Sequence, residues 1–116
     1  METTKISKFQ QRNENSIRLL AFIKAKKGKG KELLEVLLKL VEPTLEEEGN
    51  ISYIPHVSME NPDEILFDEI WIDNTSLDEH FKKQYMINLP ADIGHLIDEP
   101  IVLRKYREVF PNKQLT

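Results

Sequence analysis

The spacing of apolar and polar residues divides the chain into blocks with different periods. Residues 17–25 are rich in Ile, Leu and Phe, and a mostly apolar run of this length predicts a strand that is covered on both faces. From Lys31 onward, apolar residues such as Leu33 and Leu37 recur at helical spacing, with glutamates on the opposite side. This second block predicts a helix with one wide apolar face.

The predicted helix is interrupted near its end and is followed by a hairpin. Pro43 lies inside the helical pattern, which predicts a kink or a tightened last turn. Gly49 is then expected to cap the helix in a positive-φ conformation. Residues 51–59 and 65–72 are predicted to be two strands joined by a turn, so we expect a β-hairpin.

Two short helices and a last strand complete the predicted order. Ser76 and Glu79 have the spacing of a capping box at the start of one helix, and Pro90 fits the first turn of another that ends near Asp98. Residues 101–109 are predicted to form the last strand. The order β-α-β-β-α-β, with a split second helix, predicts an α+β fold with a ferredoxin-like antiparallel sheet and its helices on one face.

The strand at 65–72 is apolar on both of its faces. Leu66 and Ile70 lie on one side, and Phe67 and Trp71 lie on the other. Helices cover one face of such a sheet, and the other face would be left as an apolar surface in contact with water. We therefore expect a second copy of the chain to cover it, which makes the protein a homodimer.

The length of 116 residues corresponds to one domain, which we place at residues 17–110. The polar residues 1–16 are expected to form a flexible N-terminal arm, and residues 111–116 a C-terminal tail. The sequence has no apolar run long enough to cross a bilayer and no signal peptide, so we expect a cytoplasmic protein that does not bind membranes.

Composition and residue spacing exclude several kinds of binding site and reaction. Basic and acidic residues are mixed along the chain and the net charge is -4, which argues against nucleic-acid binding. The absence of cysteine excludes disulfides and thiolate nucleophiles. The three histidines have no i, i+4 pairing, and the Lys27-Gly28-Lys29-Gly30 segment lacks the spacing of a nucleotide-binding loop. We therefore expect no metal and no cofactor.

His80 is the first candidate for chemistry. Leu77, His80 and Phe81 stand at i, i+3 and i+4, so the imidazole shares the inward stripe of its helix. A histidine exchanges a proton near neutral pH without a perturbed pKa. The alternative is a structural core histidine that is hydrogen-bonded to Glu69 or to a main-chain carbonyl.

Glu69 and Trp71 are alternate residues of one strand and point to the same side. A carboxylate on an apolar strand face must be paired or reach water. Glu69 is therefore expected to hold the His80 ring, or to form an ion pair at the dimer interface. Trp71 is either a platform for an aromatic substrate or simply part of the core.

Four further residues are weaker candidates for substrate binding. Tyr53 lies on the second strand and is suited to donate a hydrogen bond to a substrate oxygen. His56, on the other face of that strand, is a candidate to line the cavity or the interior of the dimer. Tyr85 and Met86 lie just past the helix that carries His80, where a pocket mouth is expected.

These residues resemble the antibiotic biosynthesis monooxygenase family. The resemblance covers residues 17–109 and rests on short motifs in a fixed order: Lys26-Lys27-Gly28-Lys29, Glu42-Pro43-Thr44, Glu48-Gly49, Tyr53, Glu60-Asn61-Pro62, Glu69-Ile70-Trp71, Leu77 and His80. Residues 42–58 are similar to the quinol-monooxygenase branch. The resemblance implies a dimeric α/β barrel and a cofactor-independent monooxygenase that oxidises a quinol or polyphenol-type aromatic substrate with O2. It also implies His80 as base or proton relay, Trp71 as pocket wall, Glu69 as orienting group and Tyr53 as hydrogen-bond donor.

Departures from the family pattern leave alternatives open. Ala21 stands where haem-degrading relatives carry Asn, and Tyr85 stands where a second His is common. Relatives that process signalling sugars share the stretch at residues 47–50, so an isomerase or processing enzyme for a small hydroxylated or phosphorylated metabolite is a second candidate. The cations available for a phosphate are Lys82, Lys83 and Arg104. A non-catalytic dimeric ligand-binding module is the third candidate.

Overall fold

Four antiparallel strands form one sheet in the order β2-β3-β1-β4. The computed structural model describes residues 7–111. The strands are β1 (Ile17–Lys24), β2 (Asn50–Val57), β3 (Glu64–Trp71) and β4 (Val102–Tyr106). β1 and β3 are the central pair, and β2 and β4 are the two edges. This order and the helices between the strands confirm the predicted α+β, ferredoxin-like fold.

The connections from β1 to β2 and from β3 to β4 are helical, whereas β2 and β3 are joined by a turn as the predicted hairpin. The helical connections comprise α1 (Gly30–Leu38), α2 (Val41–Leu45), α3 (Asn74–Phe81), α4 (Gln84–Ile87) and α5 (Leu89–Ile93), and a 3-10 turn at Phe9–Gln11 precedes β1. The second crossover is split, as predicted, but into three short helices rather than the two that the sequence indicated. None of the helices within residues 7–111 has the length and apolar character needed to span a bilayer.

The core lies between the helices and one face of the sheet. Alternate residues of β1 and β3 point into it, and Leu19, Phe67 and Trp71 are almost completely buried. The helices contribute Leu33 and Leu37 of α1, together with apolar residues of α3 and α5. This face of the sheet carries the candidate site.

The other face of the sheet is apolar but open in the described chain. Phe22 of β1, Ile54 of β2 and Val102 of β4 are 40%, 49% and 42% exposed. A bidentate ion pair between Arg18 and Asp68 crosses the same face. The prediction that both faces are covered therefore holds for the helical face only, and coverage by a second copy stays a prediction.

Pro43 explains why the first helix divides. In a continuous helix its missing N–H would leave the carbonyl of Lys39 without a donor. The chain instead closes α1 with i→i−3 hydrogen bonds, from Lys39 N–H to Val36 and from Leu40 N–H to Leu37. The predicted tightened last turn is thus confirmed, and Pro43 lies in the first turn of the new helix α2.

Two predicted caps are wrong. Gly28 is the positive-φ residue within residues 7–111, with φ 79°, whereas Gly49 has negative φ. Gly49 is needed for space, because a Cβ there would lie 2.0 Å from the Ser76 hydroxyl oxygen. Ser76 and Glu79 do not form the cap of α3. The cap is Asp73, whose carboxylate accepts a hydrogen bond from the Ser76 N–H at 2.8 Å.

The end of the last predicted helix also differs from the structure. α5 ends at Ile93 rather than near Asp98, because the chain turns there so that Ile97 forms a β-bridge with Ala25. Residues 1–6 and 112–116 of the predicted arm and tail lie outside the described residues. Within the described part of the arm, Arg12 forms an ion pair with Glu108 at 2.7 Å.

Gly49→Ala tests the close approach of β2 to α3. The new methyl group would overlap the side chain of Ser76, so we expect the free energy of unfolding to fall by about 1–3 kcal/mol. Chemical denaturation measures the change. The double variant Gly49→Ala/Ser76→Gly is the control and should recover part of the loss. A single variant as stable as the wild type would contradict the packing described for this junction.

Candidate functional site

A cavity of about 370 Å³ lies between the core face of the sheet and the helices. Its walls are mainly apolar and include Phe67 of β3, Leu37 of α1 and Ile93 of α5. Among residues 7–111, Tyr53 and Glu69 are the two side chains with polar hydrogen-bonding groups that line it, and no lysine or arginine of that range does. Its volume and composition are typical of a site for a small, largely apolar molecule with few polar groups.

Tyr53 and Glu69 form a polar pair on this apolar wall. They are directly opposite each other in the register of β2 and β3, so their side chains project into the cavity side by side. Both are buried, with exposed fractions of 5% and 4%. The aromatic ring of Phe67 packs 5.0 Å from the Tyr53 ring, centroid to centroid, and holds the phenol in place.

Burial changes the proton affinity of both groups. It raises the pKa of Glu69 to about 7, and the hydrogen bond from Trp71 opposes part of this rise. Burial, together with the nearby charge of Glu69, also raises the pKa of Tyr53, so its phenol stays protonated. The cavity therefore presents one carboxyl group that titrates near neutral pH and one permanent hydroxyl donor.

Trp71 orients Glu69 from behind. Its indole Nε1–H donates a hydrogen bond to Glu69 Oε1 at 2.9 Å, and the ring itself is completely buried. Trp71 is not among the residues that line the cavity, so the predicted role as pocket wall does not agree with its position. The shared side of Glu69 and Trp71 is confirmed.

His80 has a different partner from the predicted one. Its Nδ1 lies 2.7 Å from Glu47 Oε2, so the prediction that Glu69 holds the ring is wrong. A carboxylate only accepts hydrogen bonds, so Nδ1 carries the proton in the neutral ring. Burial lowers the pKa of His80, and the bond to Glu47 partly offsets this. His80 is buried as predicted, but it does not line the cavity.

Tyr85, which is half-buried, completes a cluster of side chains around Glu47. Its hydroxyl donates a hydrogen bond to the same carboxylate oxygen that His80 contacts. Burial and this bond raise the pKa of Tyr85. Its neighbour Met86 lines the cavity. Of the two residues predicted at the pocket mouth, Met86 therefore contacts the cavity and Tyr85 turns toward Glu47.

His56 lies away from this site. It is exposed on the open face of the sheet, and its Nδ1 lies 3.0 Å from the main-chain oxygen of Ile54. It borders a separate depression of about 390 Å³ near the Phe22 side chain. In the part of the chain that the structure describes, no three His, Asp or Glu side chains are grouped as metal ligands.

Glu47 is the functional-site residue that sequence reasoning missed. It is the middle of three consecutive glutamates, residues 46–48, and the neighbours on either side are exposed. A run of identical acids in the turn between α2 and β2 gives no periodicity from which the inward residue could be chosen. The choice is made by the tertiary positions of His80 and Tyr85.

Comparisons with known proteins agree with the fold and identify its family. A curated relative, an uncharacterised protein of Synechocystis sp., is 28% identical over 85 residues. The match covers 73% of this chain and 58% of the relative, so the chain matches less than two thirds of the relative's length.

Solved structures are similar over most of the chain. A conserved protein from Methanosarcina mazei Go1 is 29% identical with a TM-score of 0.76, covering 83% of this chain and 95% of that one. A structure described as an antibiotic biosynthesis monooxygenase is 22% identical with a TM-score of 0.74, covering 80% and 98%; at that identity it supports the fold alone. The family model for antibiotic biosynthesis monooxygenase matches residues 16–88. The chain therefore belongs to the antibiotic biosynthesis monooxygenase family.

Proposed function

We propose that this protein is a cofactor-independent monooxygenase that oxidises a neutral quinol or polyphenol-type aromatic substrate with O2. The observation that supports this most strongly is the buried Glu69 carboxyl, with a pKa of about 7, facing an apolar cavity next to the protonated hydroxyl of Tyr53. Membership of the monooxygenase family supports the same reaction class. The proposal makes Glu69 the general base and Tyr53 the donor to a substrate oxygen.

The chemistry needs a base more than it needs an electron carrier. Glu69 takes the proton of a substrate hydroxyl, and the resulting phenolate is electron-rich enough to reduce O2 itself. Tyr53 donates a hydrogen bond to an oxygen on which negative charge develops. One oxygen atom then replaces a ring hydrogen and the other leaves as water. The quinol and O2 together give a hydroxyquinone and water, and the quinol supplies all the electrons.

Glu69 is better placed than His80 to act on a substrate. A general base has to come within hydrogen-bonding distance of the proton that it removes. Glu69 lines the cavity, whereas His80 lies outside its wall and contacts Trp71, with the two rings 4.5 Å apart. The proposal therefore moves the base from His80 to Glu69 and leaves His80 in a supporting role.

The charge of the cavity favours a neutral substrate over a phosphorylated one. Lys82 and Lys83 are exposed beyond the end of α3, and Arg104 lies on the open side of β4. None of the three lines the cavity. A phosphate placed there would lose its hydration without gaining a cation, and it would face the carboxyl of Glu69.

We also propose that a second copy of the chain covers the open face of the sheet. Phe22, Ile54 and Val102 form an apolar surface there, and a surface of this kind is typical of a subunit interface. Phe22→Lys would place a charge in that interface. We expect the wild type to sediment as a dimer and the variant as a folded monomer. A wild-type monomer at micromolar concentration would contradict the proposal.

Glu69→Gln tests the general base. Gln cannot accept a proton, so we expect the rate of oxygen consumption with hydroquinones to fall by about 10²–10⁴-fold. Chelator-treated protein is assayed with a panel of hydroquinones and polyphenols above the autoxidation rate. Glu64→Gln, an exposed position on the same strand, is the matched control and should keep wild-type activity. Substrate binding without any turnover by the wild type would instead indicate a binding module.

The pH dependence tests the same residue in another way. Glu69 acts as a base only when ionised, and its pKa is raised to about 7. We therefore expect kcat/KM to be low under acidic conditions and to rise with pH through about 7. The profile is measured as initial oxygen uptake, corrected for autoxidation at each pH. A rate that does not change between pH 5.5 and pH 8.5, an interval of about three units around that pKa, would exclude Glu69 as the base.

A further inference from the structure

Glu47 lies at the centre of a chain of contacts that ends at the cavity. Its carboxylate accepts hydrogen bonds from the Tyr85 hydroxyl and from His80 Nδ1. The His80 ring packs against Trp71 with 4.5 Å between centroids. Trp71 in turn donates its indole N–H to Glu69. Five side chains from β3, α3, α4 and the turn before β2 are thus connected in series.

Both hydrogen bonds to Glu47 are needed to keep its charge in the interior. The Glu47 side chain is 8% exposed and that of His80 is 1% exposed. A carboxylate this deeply buried is stable only when donors replace its water. The two donors that replace water come from different helices, so Glu47 ties α3 and α4 to the turn that precedes β2.

The orientation of the imidazole follows from this bond. With its Nδ1 proton directed at Glu47, the ring has one orientation and one neutral tautomer. Tyr53 and Phe81 pack against it at 5.8 and 5.4 Å between centroids. The ring therefore forms a fixed surface against which the indole of Trp71 rests, and the direction of the indole N–H determines where the Glu69 carboxyl lies.

We propose that Glu47 is the positioning residue of this site: it fixes His80 against Trp71 and thereby fixes the carboxyl group of Glu69 in the cavity. The catalytic part of this inference rests on the proposed function, in which Glu69 is the base. The structural part does not, because the order of contacts from Glu47 to Glu69 exists whatever the substrate is.

Few charged or titratable groups surround Glu69 and His80. Tyr53 faces Glu69 across the sheet, and the charges that act on Glu69 are those of Glu47 and Asp68. Glu47 and Lys83 are the charges that act on His80, which also packs beside Tyr53 and Tyr85. Glu47 is the charge common to both sets, so removing its charge changes the pKa of Glu69 and the pKa of His80 together.

Trp71 provides a signal for the experiment, because it is the one tryptophan in the chain. A protonated imidazole or a protonated carboxyl next to an indole quenches its emission by accepting an electron. The fluorescence of the wild type should therefore rise in two steps with pH, first as His80 loses its proton and then as Glu69 does so near 7. Glu69→Gln identifies the second step by removing it.

Glu47→Gln is the decisive variant. It removes the charge that favours a proton on Glu69 and the partner that favours a proton on His80, so both fluorescence steps should move to lower pH. Turnover at pH 7 should fall by about ten- to a hundredfold because the base is less well placed. Glu48→Gln, the exposed neighbouring glutamate, is the matched control and should change neither property.

Tyr85→Phe is a second variant that leaves the Glu47 charge in place. Without the tyrosine donor, the carboxylate interacts more strongly with His80, so the His80 step should move to higher pH, opposite to its movement in Glu47→Gln. If Glu47 only stabilised the fold, replacing it would lower the unfolding temperature and would move neither fluorescence step. Unmoved steps in both folded variants would overturn the proposal.

The results also separate this proposal from the proposed function. If the fluorescence steps move as expected while no quinol supports oxygen uptake, the monooxygenase assignment fails and the positioning role of Glu47 stands. If uptake occurs and Glu47→Gln matches Glu48→Gln in both turnover and titration, the positioning role fails and the monooxygenase assignment stands.

Discussion

The hydrogen bond from the Trp71 indole to Glu69 is the interaction on which the site depends. A carboxyl group on the apolar wall of a cavity is unfavourable when charged unless donors compensate for its lost water. One indole donor compensates only in part, and the pKa of Glu69 is consequently raised to about 7. That partial compensation suits the group to acid–base chemistry. A carboxyl group with a pKa near 7 can take up a proton and release it again at neutral pH.

The two acids of the site have opposite environments. Glu47 accepts hydrogen bonds from two side chains, whereas Glu69 accepts one and faces an apolar cavity. Pairs of carboxyl groups in contrasting surroundings commonly divide their roles in enzymes, one as a fixed charge and one as a proton carrier. Here Trp71 and His80 lie between the two acids, and their rings pack in a tilted arrangement with 4.5 Å between centroids.

The fold was largely predictable because it follows from local periodicity. The apolar runs predicted the strands, and Pro43 predicted the disruption of the helix where α1 and α2 divide. The two apolar faces of β3 indicated that one face of the sheet would not be covered by helices. The wrong predictions involve contacts between distant segments. Gly49 is selected by the approach of Ser76 rather than by its own φ, and Glu47 is chosen among three glutamates by His80 and Tyr85. Residue type indicated Glu69 and His80, but only tertiary structure shows which of them reaches the cavity.

The ionisation of Glu69 is the property to measure directly. The side-chain carboxyl carbons of a ¹³C-glutamate-labelled sample can be followed by NMR as the folded protein is titrated. One glutamate should titrate near pH 7, and this titrating signal should be missing in Glu69→Gln. If no glutamate signal of the wild type titrates near pH 7, the buried carboxyl is not a base poised for neutral pH, and the proposed chemistry of the cavity is wrong.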